Sequence, residues 1–129
     1  MRRRKQILVV DNNDDARAAL DEETKQLGHD SVATWSGIEA LGLLASRGFD
    51  VLLVDNYLPD MYIGDFLERV SRFPVRPKVW VMQAKPAQDM CTYGSRCYSV
   101  VEKKQVAQIF ERFGTGFNDG IPESSGWKH

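Results

Sequence analysis

Two short apolar runs, Ile7–Val10 and Val51–Val54, each stop at an aspartate, Asp11 and Asp55. A single aspartate after a strand is ordinarily a loop cap. Two of them, after the two most hydrophobic runs of the chain, point to a site. Carboxylates brought together repel and raise each other's pKa. A hard cation relieves that repulsion, and Mg²⁺ suits oxygen ligands while keeping several waters. The other chemistry-bearing residues form no pattern: Cys91 and Cys97 are too few for a disulfide framework or a zinc site, and His29 and His129 add no ligand spacing.

The elements that must position these aspartates follow from hydrophobic period. Ile7–Val10 and Val51–Val54 are continuous and β-branched or leucine-rich, as in strands buried on both faces. Ser31–Thr34, Val79–Met82 and Tyr98–Val101 read as three further strands. Between them, helical faces are formed by Ala16, Ala19, Leu20 and Leu27, by Ile38, Leu41, Leu44 and Ala45, and by Phe66, Leu67, Val70 and Phe73. A last amphipathic helix carries Val106, Ile109, Phe110 and Phe113. Gly28 and Gly48 are helix stops. Strands alternating with helices imply right-handed crossovers and a doubly wound α/β sheet of five parallel strands, with helices on both faces. Ligands of such sheets bind beyond the carboxyl ends of the strands, where the strand order reverses. The residues to inspect are therefore Asp11-Asn12, Asp55-Asn56-Tyr57, Gln83-Ala84-Lys85 and Val101-Glu102-Lys103.

Composition narrows the classes. The chain has 129 residues, 43% hydrophobic and 27% charged, which fits one globular domain and excludes wholesale disorder. No apolar run approaches the ~20 residues of a membrane span. The basic start lacks the apolar segment of a secretion signal, so a cytoplasmic location is expected. Net charge is −1, but Arg2, Arg3, Arg4 and Lys5 hold four of the 17 basic residues, leaving 13 against 18 acidic. That body carries no clustered basic footprint, so direct DNA binding is not expected. Three segments are expected: a basic lead-in at 1–4, a domain at 5–113, and a tail at 114–129 rich in Gly, Pro and Ser.

Four pieces in order make the chain recognisable. They are Ile7-Leu-Val-Val-Asp-Asn-Asn-Asp-Asp-Ala-Arg17, Leu27 through Leu41, Phe49-Asp-Val-Leu-Leu-Val-Asp55 with Leu58-Pro59, and Gly94 with Tyr98. Over residues 5–113 the chain resembles the receiver domain of two-component response regulators. The resemblance implies a flavodoxin-like sheet of strand order 2-1-3-4-5. It implies that Asp55 is the phosphoacceptor, with a sensor histidine kinase or phosphotransfer protein as donor and a protein partner downstream. It also implies Mg²⁺ held by Asp11, Asn12, Asp55 and the backbone carbonyl of Tyr57.

The pattern breaks at several places. Asn12 stands where the family has a second acid, so one charge is lost and metal should bind weakly. Gln83 stands where the family has a threonine or serine hydroxyl. Aligned from Gly94 and Tyr98, Val101 falls where the family has the lysine that pairs with the phosphoryl group. Slipping the alignment to Lys103 or Lys104 costs two or three places, and one place already exchanges the two faces of a strand. Lys85 is a candidate replacement cation. Between the fourth and fifth strands, nine residues separate Ala84 from Gly94, so the fourth helix is expected to be short by about one turn of ~3.6 residues.

Two functions are consistent with this reading: a phosphoacceptor receiver with an atypical switch at Gln83, Val101 and Tyr98, or a receiver-like binding module that works without phosphorylation. An enzyme acting on an external substrate is not expected. A phosphatase with an aspartate nucleophile would want an acid two residues after Asp55, where Tyr57 stands. A nucleotide enzyme would want glycines after the first strand, where Asp11–Asp15 has none.

Overall fold

The computed structural model describes residues 4–84 and 90–113. Its elements run β1 (Gln6–Val10), α1 (Asp14–Gln26), β2 (Asp30–Thr34), α2 (Gly37–Ser46), β3 (Val51–Asp55), α3 (Ile63–Val70), β4 (Lys78–Gln83), β5 (Met90–Tyr93), β6 (Arg96–Glu102), a 3-10 turn (Lys103–Gln105) and α4 (Val106–Phe113). The sheet order is β2-β1-β3-β4-β6-β5. The first five strands in that order are mutually parallel, and β5 is antiparallel to β6. The parallel part has the flavodoxin-like order, with the reversal between β1 and β3.

Strand alternation divides the core into two layers. Leu8, Val10, Leu52, Val54, Val79, Val81 and Tyr98 pack under Phe66, Leu67 and Val70 of α3 and Ala40 of α2. On the other face Ile7, Val9, Leu53, Trp80, Met82 and Val101 meet Leu20 of α1 and Val106 and Phe110 of α4. Covering both faces explains why β1 and β3 read as unbroken apolar runs. Local caps fix the helix starts. The Asn13 side chain accepts from the Ala16 N–H, and Ser36 accepts from Glu39 N–H.

Two expectations need correcting. Phe73 does not belong to the third helix, which ends at Val70; Phe73 N–H closes a turn on the Val70 carbonyl instead. The fourth helix is absent among the described residues, and a sixth strand, β5, takes part of its place. Cys91, Thr92 and Tyr93 pair with Tyr98, Cys97 and Arg96. The loop between them is only Gly94-Ser95. Gly94 has φ +63°, and among the described residues only glycines have positive φ. That is the pattern of a two-residue hairpin whose first loop position must be left-handed. The nine residues after Ala84 were too few for a helix of the usual length, and the tyrosine, threonine and cysteines near the loop favour a strand. Lys85 and the tail at 114–129 lie outside the described residues, as does most of the lead-in.

Two glycine substitutions should move stability in opposite directions. Gly94→Ala places a side chain in the left-handed region and should cost about 1–2 kcal/mol. Gly42→Ala lies in α2, where an added Cβ meets nothing within 4 Å, and should gain up to about 1 kcal/mol. Urea denaturation of both variants checks the pair; equal effects would contradict the hairpin turn.

Candidate functional site

The site is assembled at the carboxyl edge of the sheet by register alone. Val10 pairs with Val54 in parallel, so the next residues, Asp11 and Asp55, stand side by side. Both are buried, Asp11 at 0% exposure and Asp55 at 7%. Asp11 is anchored from two directions. Its N–H donates to the Thr34 carbonyl at the end of β2, and its Oδ1 accepts from Asn13 N–H at 2.9 Å. Arg17 from α1 donates to the Asp11 carbonyl oxygen at 3.0 Å and pairs with Asp14, so its charge is not spent on the Asp11 carboxylate.

The cation between the two carboxylates is Lys103. Its Nζ lies 3.2 Å from Asp11 Oδ1, 3.1 Å from Asp11 Oδ2 and 3.2 Å from Asp55 Oδ1. This corrects the expectation built on Val101. Val101 is 9% exposed and packs in the α1–α4 layer with Trp80 and Met82. β6 runs on to Glu102, which pairs with Gln83, and the chain then leaves the strand in a 3-10 turn beginning at Lys103. The face-exchange penalty for slipping along a strand does not apply to a residue beyond the strand's end. A signal was available: Lys103 lies among the residues directly after the last parallel strand.

Charge and burial oppose one another here. Burial raises the Asp55 pKa above its ordinary value; the Lys103 ammonium and the Tyr57 N–H pull it down, while the Asp11 charge adds to the rise. For Lys103, burial works against the charged form, but its bonds and attraction to Asp11 and Asp55 prevail and its pKa is raised. Tyr57 therefore meets Asp55 through its backbone N–H, while its ring is 63% exposed. Asn12 is exposed, and Gln83 is half-buried at the end of β4. Tyr98 is buried at 4% and packs against Tyr93 of β5, away from the carboxylates.

A neighbouring contact was not anticipated. Asp60, in the loop after β3, accepts from both Gly37 N–H and Ile38 N–H at 2.9 Å. Burial is the largest single influence and raises its pKa, but the N–H groups of Ile38, Gly37 and Asp60 itself together outweigh it and hold it below the ordinary value. Asp60 thus ties the loop that follows Asp55 to the start of α2. A Cβ on Gly37 would lie 2.7 Å from Met61 Sδ, so a larger residue there would push the flexible Met61 side chain aside.

Oxygen donors for a hard cation are present, but the arrangement does not fit a resident one. Among the described residues Asp11 and Asp55 converge here without a third carboxylate, both already meet an ammonium, and no group of three or more His, Cys, Asp or Glu is placed to hold a metal.

No family model matches the chain, and no curated protein matches it. Solved structures do. The receiver domain of a sensor histidine kinase from Pseudomonas aeruginosa, with magnesium coordinated in its active site cleft, superposes with TM-score 0.71 at 18% identity, over 85% of this chain and 97% of that one. A chemotaxis response regulator of Vibrio cholerae gives TM-score 0.68 at 18% identity, over 85% and 98%. The N-terminal domain of a response regulator receiver protein from Methanoculleus marisnigri is 27% identical with TM-score 0.60, over 65% and 70%. The chain has the receiver-domain fold, as the resemblance implies.

The raised Asp55 pKa carries a stability prediction. Its contribution is fully present below the unfolded-state pKa and is lost as pH rises through the higher folded-state value. Asp55→Asn removes that loss. The variant should be more stable than the wild type at neutral pH, and the two should converge in acid. Denaturant unfolding across pH measures this; an Asn variant that is less stable at neutral pH would mean the lysine outweighs burial.

Proposed function

We propose that this chain is a phosphoacceptor receiver module of two-component signalling, taking a phosphoryl group on Asp55 and passing the signal by protein–protein contact. The observation that carries this reading is the Lys103 ammonium lying between Asp11 and Asp55 at the reversal of the sheet. Val101 stands where the family has its lysine, and Lys103, just beyond the strand, brings an ammonium to the carboxylates instead.

The residues suit in-line transfer. A carboxylate is a poor nucleophile, so the protein's contribution is positioning and charge neutralisation. An Asp55 oxygen forms a bond to phosphorus as the phosphorus–nitrogen bond of a phosphohistidine donor breaks, and the electron pair returns to the imidazole. Lys103 is placed to follow the charge onto the phosphoryl oxygens. The Tyr57 N–H, already directed at Asp55, is a second donor.

The donor would be a sensor histidine kinase or a phosphotransfer protein, and the receiver of the signal another protein. The domain would work in the cytoplasm; no helix among the described residues is long and apolar enough to cross a membrane. Catalysis on an external substrate is not part of the reading, because Tyr57 stands where a second acid would be needed. The switch is atypical. Gln83 replaces the hydroxyl, and Tyr98 is already buried against Tyr93, so the β5–β6 hairpin replaces the usual responsive helix face.

A second reading, a binding module indifferent to phosphorylation, draws on the same Gln83 and hairpin. A small phosphodonor separates the two. The wild type should gain the mass of one phosphoryl group, Asp55→Asn should gain none, and Lys103→Met should label more slowly by about tenfold or more. No Asp55-dependent gain at all would leave the binding module as the better reading.

A further inference from the structure

β5 ends the sheet, and among the described residues no strand lies outside it. The hairpin decides which of its backbone groups point outward. A two-residue turn carries a bond from the Arg96 N–H to the Tyr93 carbonyl, so Tyr93 and Arg96 are a hydrogen-bonded pair. Such pairs alternate with non-hydrogen-bonded ones along an antiparallel ladder. Cys91 therefore bonds to Tyr98, while Met90 and Thr92 direct their N–H and carbonyl groups away from β6. Sheet edges are ordinarily blunted by charge, proline or a bulge. β5 is short, but Met90-Cys-Thr-Tyr93 has no charge and no proline, and its register with β6 runs without a bulge. A helix in this place would offer no free row of backbone groups; the strand does.

That row is complementary to itself. Turned about a two-fold axis at Cys91, β5 meets a second β5 antiparallel, with Met90 of each copy opposite Thr92 of the other. Both pairs are then hydrogen-bonded, and the outward groups of Met90 and Thr92 are satisfied together. Cys91 faces Cys91 of the second copy in the non-hydrogen-bonded pair between them, where Cα atoms stand about 4.5 Å apart. No charge meets its own image, because the strand carries none. The opposite edge, β2, is different: its Asp30 is held by Arg4 and Gln6 of its own chain. We propose that two copies of this chain pair through the outer edge of β5, antiparallel about Cys91. Four-residue strands are small beside the ~1,200–2,000 Å² of a stable interface, so the pairing is reversible. It does not depend on the state of Asp55.

Hydrogen exchange of the full chain, followed by NMR in reducing buffer from micromolar to millimolar protein, tests the pairing. The Met90 and Thr92 amides should slow severalfold as concentration rises, while those of Cys91 and Tyr93, already bonded to β6, should not change. Exchange at Met90 and Thr92 that is independent of concentration overturns the proposal. Diamide then traps the contact: two thiols become one disulfide, and diamide takes up the two electrons and two protons. The paired Cα atoms, about 4.5 Å apart, lie within the disulfide range of ~4.4–6.8 Å. Cys91 is half-buried, and burial pushes its thiol pKa up, whereas Cys97 is exposed on the other face of the hairpin. Chance collision would therefore link copies through Cys97. Pairing through β5 gives the reverse: Cys97→Ser keeps the linked dimer, and Cys91→Ser reduces it about tenfold or more. Linking through Cys97 in preference to Cys91 overturns the proposal. Thr92→Pro removes an outward N–H and no bond to β6, so it should abolish both effects with the circular dichroism unchanged; a folded Thr92→Pro that still links through Cys91 also overturns the proposal. Should that variant fail to fold, the wild-type exchange and the two cysteine variants still decide the matter.

Discussion

A carboxylate with no exposure to water must have a cation, and in this domain one ammonium serves two. The ends of β1 and β3 are adjacent because the strands are in parallel register, and that adjacency is what makes Lys103 necessary. Much of the structure can be read as holding Lys103 in place. β6 is carried past the expected end of the strand to Glu102, the 3-10 turn lifts Lys103 over the carboxylates, and Val106 and Phe110 fasten the following helix to the Trp80 face of the sheet. Removing one partner of such a pair costs more than the pair is worth, because the other charge is left buried. The site is thus part of the fold's stability as well as of its chemistry.

The parallel core was legible because its strands obey two simple rules. Runs buried on both faces are continuously apolar, and β1 and β3 are. Helical faces repeat at 3.6 residues, and α1 and α2 start close to where their caps, Asn13 and Ser36, stand. Asp11 and Asp55 were legible for the same reason: the residue after a buried strand has a predictable place. Lys103 was not, because sequence spacing counts residues while a turn changes their direction. A three-residue 3-10 turn that begins at Lys103 itself placed a charge that strand arithmetic could not place. The Asp60 contact was also hidden, since its partners are backbone N–H groups, which no residue type announces.

The region after β4 shows the opposite failure. Its shortness was visible, but the inference drawn from shortness was a smaller helix. A chain that cannot complete a helix has another way to satisfy its backbone: it can add to the free edge of β6. Tyr93 then lies on Tyr98 and also meets Tyr62 edge-on, at 6.3 Å in each case. The hairpin thereby gives a row of three tyrosines on the α3 side of the sheet, a surface of different shape and polarity from a helix.

The bond between Lys103 and Asp11 spans 92 positions of the chain. Along the chain the strand ending in Asp11 precedes its counter-cation by nearly the whole of the sheet. Until residue 103 is available, Asp11 cannot take its dry seat without an unneutralised charge or a bound proton. Early pairing of β1 with β2 and β3 must therefore leave that edge of the sheet wet. The pocket is complete only when the turn at Lys103–Gln105 has brought its ammonium to the end of β1.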